Sequence, residues 1–289
     1  MPLHYRHVDV FAGTAYTGNS VAVIPDSSGL SAEQMLTITQ ELRHFETIFL
    51  DGAAGAHYVT ARVFDLFEEL DFAGHPVLGA AAVLHERDDT PGPRRWTFHF
   101  SGRTVEVSTC RSGTGFRAEL DQGAPEFLAT VPTEGRAEVA AALNLPARAL
   151  ADLPLRVVST GLRYLMVPVV TGLAEAKIVR SDFAKLVGRY GAQFAYVLDV
   201  EAREGRHWNN DGVMEDVATG SAAGCVGAYL ARYGFVPVEE EFVLRQGRFT
   251  GRPSRLTVLP QGRPDALINV RVGGDVSMVA RGTLDTVPE

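Results

Sequence analysis

Short apolar-rich runs recur along most of this chain, and Gly, Pro or Asp separates them every few residues. Such short segments, rich in Val, Phe and Arg and bounded by turn residues, predict strands. They fall over 5–11, 21–24, 47–51, 58–64, 95–100, 105–109, 116–120, 155–159, 165–168, 194–200, 207–209, 241–244, 256–259, 268–272 and 276–282. Helical spacing is rarer. Ser31-Ala32-Glu33-Gln34 is a capping box opening a helix to about Leu42, with Leu30 and Met35 spaced as a hydrophobic staple. Further helices are expected over 136–143 and 181–190, the latter with Ser181 as its cap.

Two more helices differ in kind. Pro76-Val77-Leu78-Gly79-Ala80-Ala81-Ala82-Val83-Leu84 and Ala222-Ala223-Gly224-Cys225-Val226-Gly227-Ala228-Tyr229-Leu230 consist almost wholly of small apolar residues. Without a polar face they must be buried all round, and their Gly and Ala let surrounding strands come close. Gly234 is placed to end the second. Each follows a polar strand end and a Gly: Glu69-Leu70-Asp71-Phe72-Ala73-Gly74-His75 before one, Glu215-Asp216-Val217-Ala218-Thr219-Gly220-Ser221 before the other. The two segments lie 146 positions apart, about half of the 289 residues. A duplicated domain accounts for this spacing, and the natural place for a ligand is then between the halves.

The expected fold is α+β: a strand-rich half wrapped around one buried helix, occurring twice. The lobes are expected over 1–128 and 129–278, with 279–289 available to complete the first. The boundary is sought in 121–134, where Gly, Pro and Thr accumulate. Halves of about 145 residues each suffice for a core.

Composition excludes several function classes. The apolar fraction of 46% and charged fraction of 21% are those of an ordinary globular protein, and a net charge of −8 gives nucleic acid or an anionic membrane no electrostatic footing. Cys110 and Cys225 are the only cysteines, so neither a disulfide framework nor a zinc cluster is indicated. Lys177 and Lys185 are the only lysines, which leaves little choice for a Schiff base, and Lys177 reads as a surface charge. The chain begins in a strand-like run with no charged leader, and no apolar stretch approaches bilayer length. A cytoplasmic setting is expected.

The candidate chemistry gathers at the two helix starts, where unpaired amides and a partial positive charge favour an anion such as a carboxylate. His75 and Ser221 occupy matching positions there, beside Gly74 and Gly220. The plainer alternative makes Ser221 a helix cap and His75 a half-buried hydrogen-bonding side chain. Ala73 and Thr219 stand before the two glycines, where a two-base racemase would need thiols, and Cys225 lies deeper in a small-residue run. A symmetric two-thiol mechanism is therefore out.

Another base is needed, and Glu46 is the best candidate. It stands in His44-Phe45-Glu46-Thr47-Ile48-Phe49-Leu50, while the corresponding strand Phe194-Ala195-Tyr196-Val197-Leu198 starts without an acid. Aromatic neighbours would desolvate its carboxyl and raise its pKa toward the range of a general acid/base. The alternative is a surface Glu at a helix end. Asp216 either orients or shares the proton or is a turn residue; Asp71, unmatched at Val217, is taken as structural. Gly18-Asn19-Ser20 reads as a tight turn presenting amides, and Gln246-Gly247 with Gly251-Arg252 as a Gly-rich turn carrying a guanidinium. No nucleotide phosphate loop, nucleophile elbow or metal-spaced His pair is present.

Taken in order, these segments resemble the PhzF-like family, whose fold is that of diaminopimelate epimerase. The marks are Asp9-Val10-Phe11 with Gly18-Asn19-Ser20, Glu46-Thr47, Gly74-His75-Pro76, Glu215-Asp216 with Thr219-Gly220-Ser221-Ala222, and Gln246-Gly247 with Gly251-Arg252. The resemblance covers essentially the whole chain. It implies two pseudo-symmetric lobes, each a strongly curved, largely antiparallel sheet wrapped around a buried central helix, with a site in the cleft and a homodimer. It also implies an isomerase without metal or organic cofactor, in which Glu46 shuttles a proton between carbons with His75, Asp216 and Ser221 in support. Ser20 stands where the family usually has Pro, and Ala73 where Cys is common.

The expected activity is thus a double-bond shift in a small carboxylate-bearing, cyclic or unsaturated metabolite. Glu46, His75, Asp216 and Ser221 would be catalytic, and Asn19, Ser20, Gly74, Thr219 and Gly220 would bind substrate. An epimerase or racemase, and a non-catalytic small-molecule binder on the same fold, are the competing readings.

Overall fold

The computed structural model describes residues 2–52, 57–113 and 115–289. The chain divides into two units, Met1–Asp121 with Gly273–Glu289, and Gln122–Val272. The first contains β1 (Leu3–Val10), β2 (Asn19–Ile24), α1 (Ala32–Leu42), β3 (Glu46–Asp51), β4 (Tyr58–Asp65), β5 (Glu69–Leu70), α2 (Gly74–Asp88), β6 (Arg94–Phe100), β7 (Arg103–Ser112) and β8 (Gly115–Asp121). The second contains β9 (Glu126–Thr130), α3 (Thr133–Ala142), β10 (Arg156–Ser159), β11 (Arg163–Val169), α4 (Phe183–Gly188), β12 (Phe194–Asp199), β13 (Glu204–Arg206), α5 (Gly220–Arg232), β14 (Phe242–Gln246) and β15 (Ser254–Arg263). The last strand, β16 (Ala266–Leu284), gives its residues up to Val272 to the second unit and the rest to the first.

In the first unit the strand order is β1-β2-β3-β4-β6-β7-β8-β16, and β16 pairs back onto β1, so the sheet closes on itself. α2 lies inside, touching β1, β2, β3, β6, β7 and β8. Its residues His75–Val83 are all buried, as a helix without a polar face requires. The fit depends on small side chains: a Cβ on Gly79 would meet Val21 Cγ1 at 2.8 Å. α1 covers the outer face, where Met35 and Ile38 pack with Ile24, Phe49 and Phe64. Its capping box forms as expected, Gln34 N donating to Ser31 Oγ and Ser31 N to Gln34 Oε1, and Leu30 packs on the cluster containing Met35.

The second unit orders its strands β16-β15-β14-β13-β12-β11-β10-β9, and α5 packs on β10, β11 and β15. A Cβ on Gly227 would meet Val258 Cγ1 at 2.4 Å, repeating the close approach in the first unit. The duplication is visible in topology as well. An antiparallel pair (β1–β2, β10–β11) is followed by a parallel step across a short outer helix (α1 to β3, α4 to β12). An antiparallel partner follows (β4, β13), then a parallel step across the buried helix (α2 to β6, α5 to β14). Both units are therefore α+β with strongly curved, mainly antiparallel sheets.

Four local expectations change. Asn19 and Ser20 are not in a turn: they begin β2, opposite Val10 and Asp9, and only Gly18 (φ 67°) turns, its place fixed because a Cβ would meet Val10 O at 2.3 Å. The helix expected over 181–190 is the shorter α4, preceded by Asp182 with no side-chain cap bond, so Ser181 does not cap it. The helix expected over 136–143 begins earlier, at Thr133. Residues 207–209 leave the ladder, because Trp208 forms a single bridge to Glu215 after β13 has ended at Arg206. Among the described residues no helix is long and apolar enough to cross a membrane.

Candidate active site

In the first unit the chain leaves α1 through Arg43 in the left-handed region (φ 53°) and enters β3 at Glu46. Side chains alternate across a strand. Phe49 packs toward α1, so Glu46, Ile48 and Leu50 take the opposite face, toward α2. Glu46 is accordingly 9% exposed, a buried carboxyl rather than a solvated helix-end charge. Facing it is His75, 6% exposed, the second residue of α2, with Nδ1 3.5 Å from Glu46 Oε2. That is an ion-pair distance if the ring is protonated and too long for a strong hydrogen bond.

Gly74 begins α2, and the preceding Ala73 makes no side-chain cap bond. β2 runs parallel to β3 with Ala22 opposite Thr47, so buried Asn19 and half-buried Ser20 lie at the same end of the sheet as Glu46. Asp71 is exposed beyond β5.

The second unit builds its polar cluster at the start of α5. Thr219 precedes the helix, Gly220 opens it, and Ser221 is its second residue, matching His75 in α2. Ser221 is not the cap: its Oγ lies 2.8 Å from the Tyr164 hydroxyl on β11. Asp216 is placed by backbone and side chain together. Its N–H donates to His207 O at 2.9 Å, its Oδ1 accepts from Ala218 N at 3.3 Å, and its Oδ2 accepts from the Thr219 hydroxyl at 2.6 Å.

The loop holding Asp216 is pinned from behind by an ion pair that sequence reasoning did not single out. Arg206 is 7% exposed and donates Nε and Nη2 to the Glu215 carboxylate at 2.8 and 2.7 Å. Its Nη1 reaches the carbonyls of Leu173, Ala174 and Ala176, each at 2.9 Å, and the rings of Trp208 and Phe249 flank the guanidinium at 4.6 and 4.3 Å. The Glu215-Asp216 pair was the available signal: one carboxylate anchors, its neighbour is presented.

Titration states follow from burial. His207, next to Asp216, has its pKa lowered by desolvation against opposing contributions from Asp216 and from Ala195 O, to which Nδ1 lies at 3.0 Å. Nδ1 therefore carries the proton, since a carbonyl only accepts. Burial raises the Tyr196 hydroxyl well above its usual range, and the nearby Asp216 charge adds to that. The Cys225 thiol, buried in α5 against Val158 O at 3.4 Å, is pushed up to about 12 by desolvation, which makes it core rather than base. Among the described residues no group of three or more His, Cys, Asp or Glu side chains is placed to hold a metal ion.

The family model for phenazine biosynthesis-like protein (PhzC-PhzF) matches residues 8–282. A trans-2,3-dihydro-3-hydroxyanthranilate isomerase from Pseudomonas chlororaphis is 31% identical over 97% of this chain and 99% of its own length. Among solved structures, a predicted epimerase from Pseudomonas aeruginosa superposes with a TM-score of 0.90 at 47% identity, over 98% of this chain and 99% of that one. A PhzF-family protein from Bacillus anthracis shares the fold with a TM-score of 0.83 at 24% identity, again over 98% and 99%. With two topologically matched units and a match along nearly its whole length, the chain belongs to the PhzF-like, phenazine biosynthesis-like family and is an isomerase.

Proposed function

We propose that this isomerase moves a proton between two carbons of a small carboxylate-bearing, cyclic or unsaturated metabolite, with Glu46 as the general acid/base. The observation that carries the reading is the burial of the Glu46 carboxyl beside His75 on the inner face of β3. Buried carboxyls are the groups whose proton affinity suits acid/base work near neutrality.

The step balances without a co-reactant. Glu46 carboxylate takes a proton from an activated sp³ carbon. The C–H electron pair moves into the adjoining unsaturated system, and the double bond re-forms one position along. The protonated Glu46 then delivers a proton to a different carbon, and exchange of its O–H with solvent before delivery brings solvent hydrogen to that position. His75 steadies whichever charge state Glu46 holds. In the second unit Asp216 is the proton acceptor or relay, within the polar cluster it forms with Thr219 and Ser221 at the start of α5. The first-turn amides at Gly74, and likewise those at Gly220, each suit an anion such as a carboxylate, with Asn19 and Ser20 contributing contacts at the Glu46 end. One positioned base supplies roughly 10²–10⁴ in rate, and stabilisation of the developing anion supplies much of the rest.

The compound named for the Pseudomonas chlororaphis relative, trans-2,3-dihydro-3-hydroxyanthranilate, is a cyclic unsaturated amino acid of the proposed class and the first substrate to try. Incubation in D₂O with wild type and Glu46→Gln, followed by NMR, tests the mechanism. A shifted double bond with label at the new C–H, lost in Glu46→Gln, is the expected result. Equal product from both proteins would overturn the role of Glu46. Label at an unshifted carbon with inverted configuration would make the reaction an epimerisation, the activity predicted for the similar Pseudomonas aeruginosa protein.

A further inference from the structure

We propose that Gln246 is a positioning residue that orients the Thr219 hydroxyl and thereby the hydrogen bonding of Asp216. The inference rests on the reading of Asp216 as part of the reacting site.

Gln246 is the last residue of β14 and 1% exposed. Its amide can stand only one way round, because two main-chain groups decide it. Oε1 accepts from Thr219 N at 3.1 Å, and Nε2 donates to Asp216 O at 2.8 Å. Turning the amide over would set an NH₂ against an N–H and an oxygen against a carbonyl. Two hydroxyls are then fixed in turn. Tyr196, 3.0 Å from Oε1, must donate to it. Thr219 Oγ1, 3.0 Å from Nε2, must accept. A hydroxyl has a single hydrogen, so that of Thr219 is left to donate to Asp216 Oδ2 at 2.6 Å. A chain of donations therefore runs from the end of β14 into the carboxylate, and its direction is set by backbone rather than by solvent.

The surrounding backbone is built to keep Gln246 in register. Gly247 turns with φ 80°, and a Cβ there would meet Arg252 O at 2.3 Å and Val217 O at 2.6 Å, so the turn can press against the loop holding Asp216. Ser254, 2% exposed, places its Oγ 3.1 Å from Arg252 O and 3.3 Å from Val217 O, between the turn and the Asp216 loop. Both units have a strand in the position of β14, but β6 ends at Phe100, so the amide belongs to the second unit alone.

A carboxylate that loses a donor is protonated more readily, so the test is a pH profile. Thr219→Val removes the hydroxyl at nearly constant shape. It should move the acid limb of kcat to higher pH and lower kcat about tenfold with KM within about twofold, and Thr219→Ser should restore both. Gln246→Glu should move the same limb in the same direction. Acid limbs unchanged in all folded variants would overturn the proposal. A second readout needs no turnover, and so stands even if the proposed reaction fails. In ¹⁵N NMR of the whole chain, Thr219→Val should free one Gln246 Nε2 hydrogen to exchange with water about tenfold faster or more. Exchange unchanged from wild type would overturn the assigned direction.

Discussion

Oε2 of Glu46 and Nδ1 of His75 lie 3.5 Å apart, on a strand and a helix that meet inside the first unit, and both side chains are buried. Groups this close act as a unit, so their contributions to rate should not add. Glu46→Gln is expected to slow exchange of the substrate C–H in D₂O by roughly 10²–10⁴, and His75→Asn by less. The double variant should be little slower than Glu46→Gln alone. Rates measured by NMR that multiply across the cycle would show the two residues working independently.

Arg206 carries the strongest stability prediction. Its guanidinium is flanked by two rings, and every nitrogen is engaged by Glu215 or by the carbonyls of 173, 174 and 176. Removing one partner of such a pair leaves a buried charge uncompensated and typically costs 3–5 kcal/mol. Arg206→Ala should lower the urea midpoint by an amount corresponding to about that range. The pair Arg206→Met with Glu215→Leu should recover about 1 kcal/mol or more relative to Arg206→Ala, because it removes both charges.

His207 gives a pH prediction whose sign follows from its lowered pKa in the folded chain. The unfolded chain takes up the imidazole proton first as pH falls. The stabilising contribution is therefore complete above the unfolded pKa of about 6.5 and is lost progressively below it. Urea unfolding between pH 8 and pH 5 should show wild type losing more stability than His207→Gln over that interval. Equal losses would mean that the imidazole is not held neutral by its burial between Tyr164 and Phe194.

Features written in neighbouring residues could be read from the sequence. The Ser31–Gln34 box closes within four residues, and the composition of α2 and α5 can be satisfied only in an interior. Glu46 stood out because a duplicated strand lacked its acid. What escaped depended on partners far away. Gln246 joins residues 27 to 50 positions distant, and Arg206 gathers three carbonyls from a segment 30 to 33 positions back. The Val-rich run after Gly18 hid the start of β2 because its register is set by Val10 and Asp9. At 207–209 the apolar side chain of Trp208 mimics a strand, but its bridge to Glu215 serves the Asp216 loop instead.

Cys225 bears on the choice between proton-transfer mechanisms. A thiol can act as base only as thiolate, and this one is held near 12 by burial between Val158 O and Leu162 O in a helix that touches β10, β11 and β15. At pH 8 the thiolate fraction is then about one part in ten thousand. Iodoacetamide at that pH should label Cys110, which is partly exposed in β7, and leave Cys225 untouched until denaturant is added. Full labelling of Cys110 should leave turnover intact. Rapid labelling of Cys225 in the folded protein, with loss of turnover in proportion, would instead return a thiol to the mechanism and make Glu46 one of two bases.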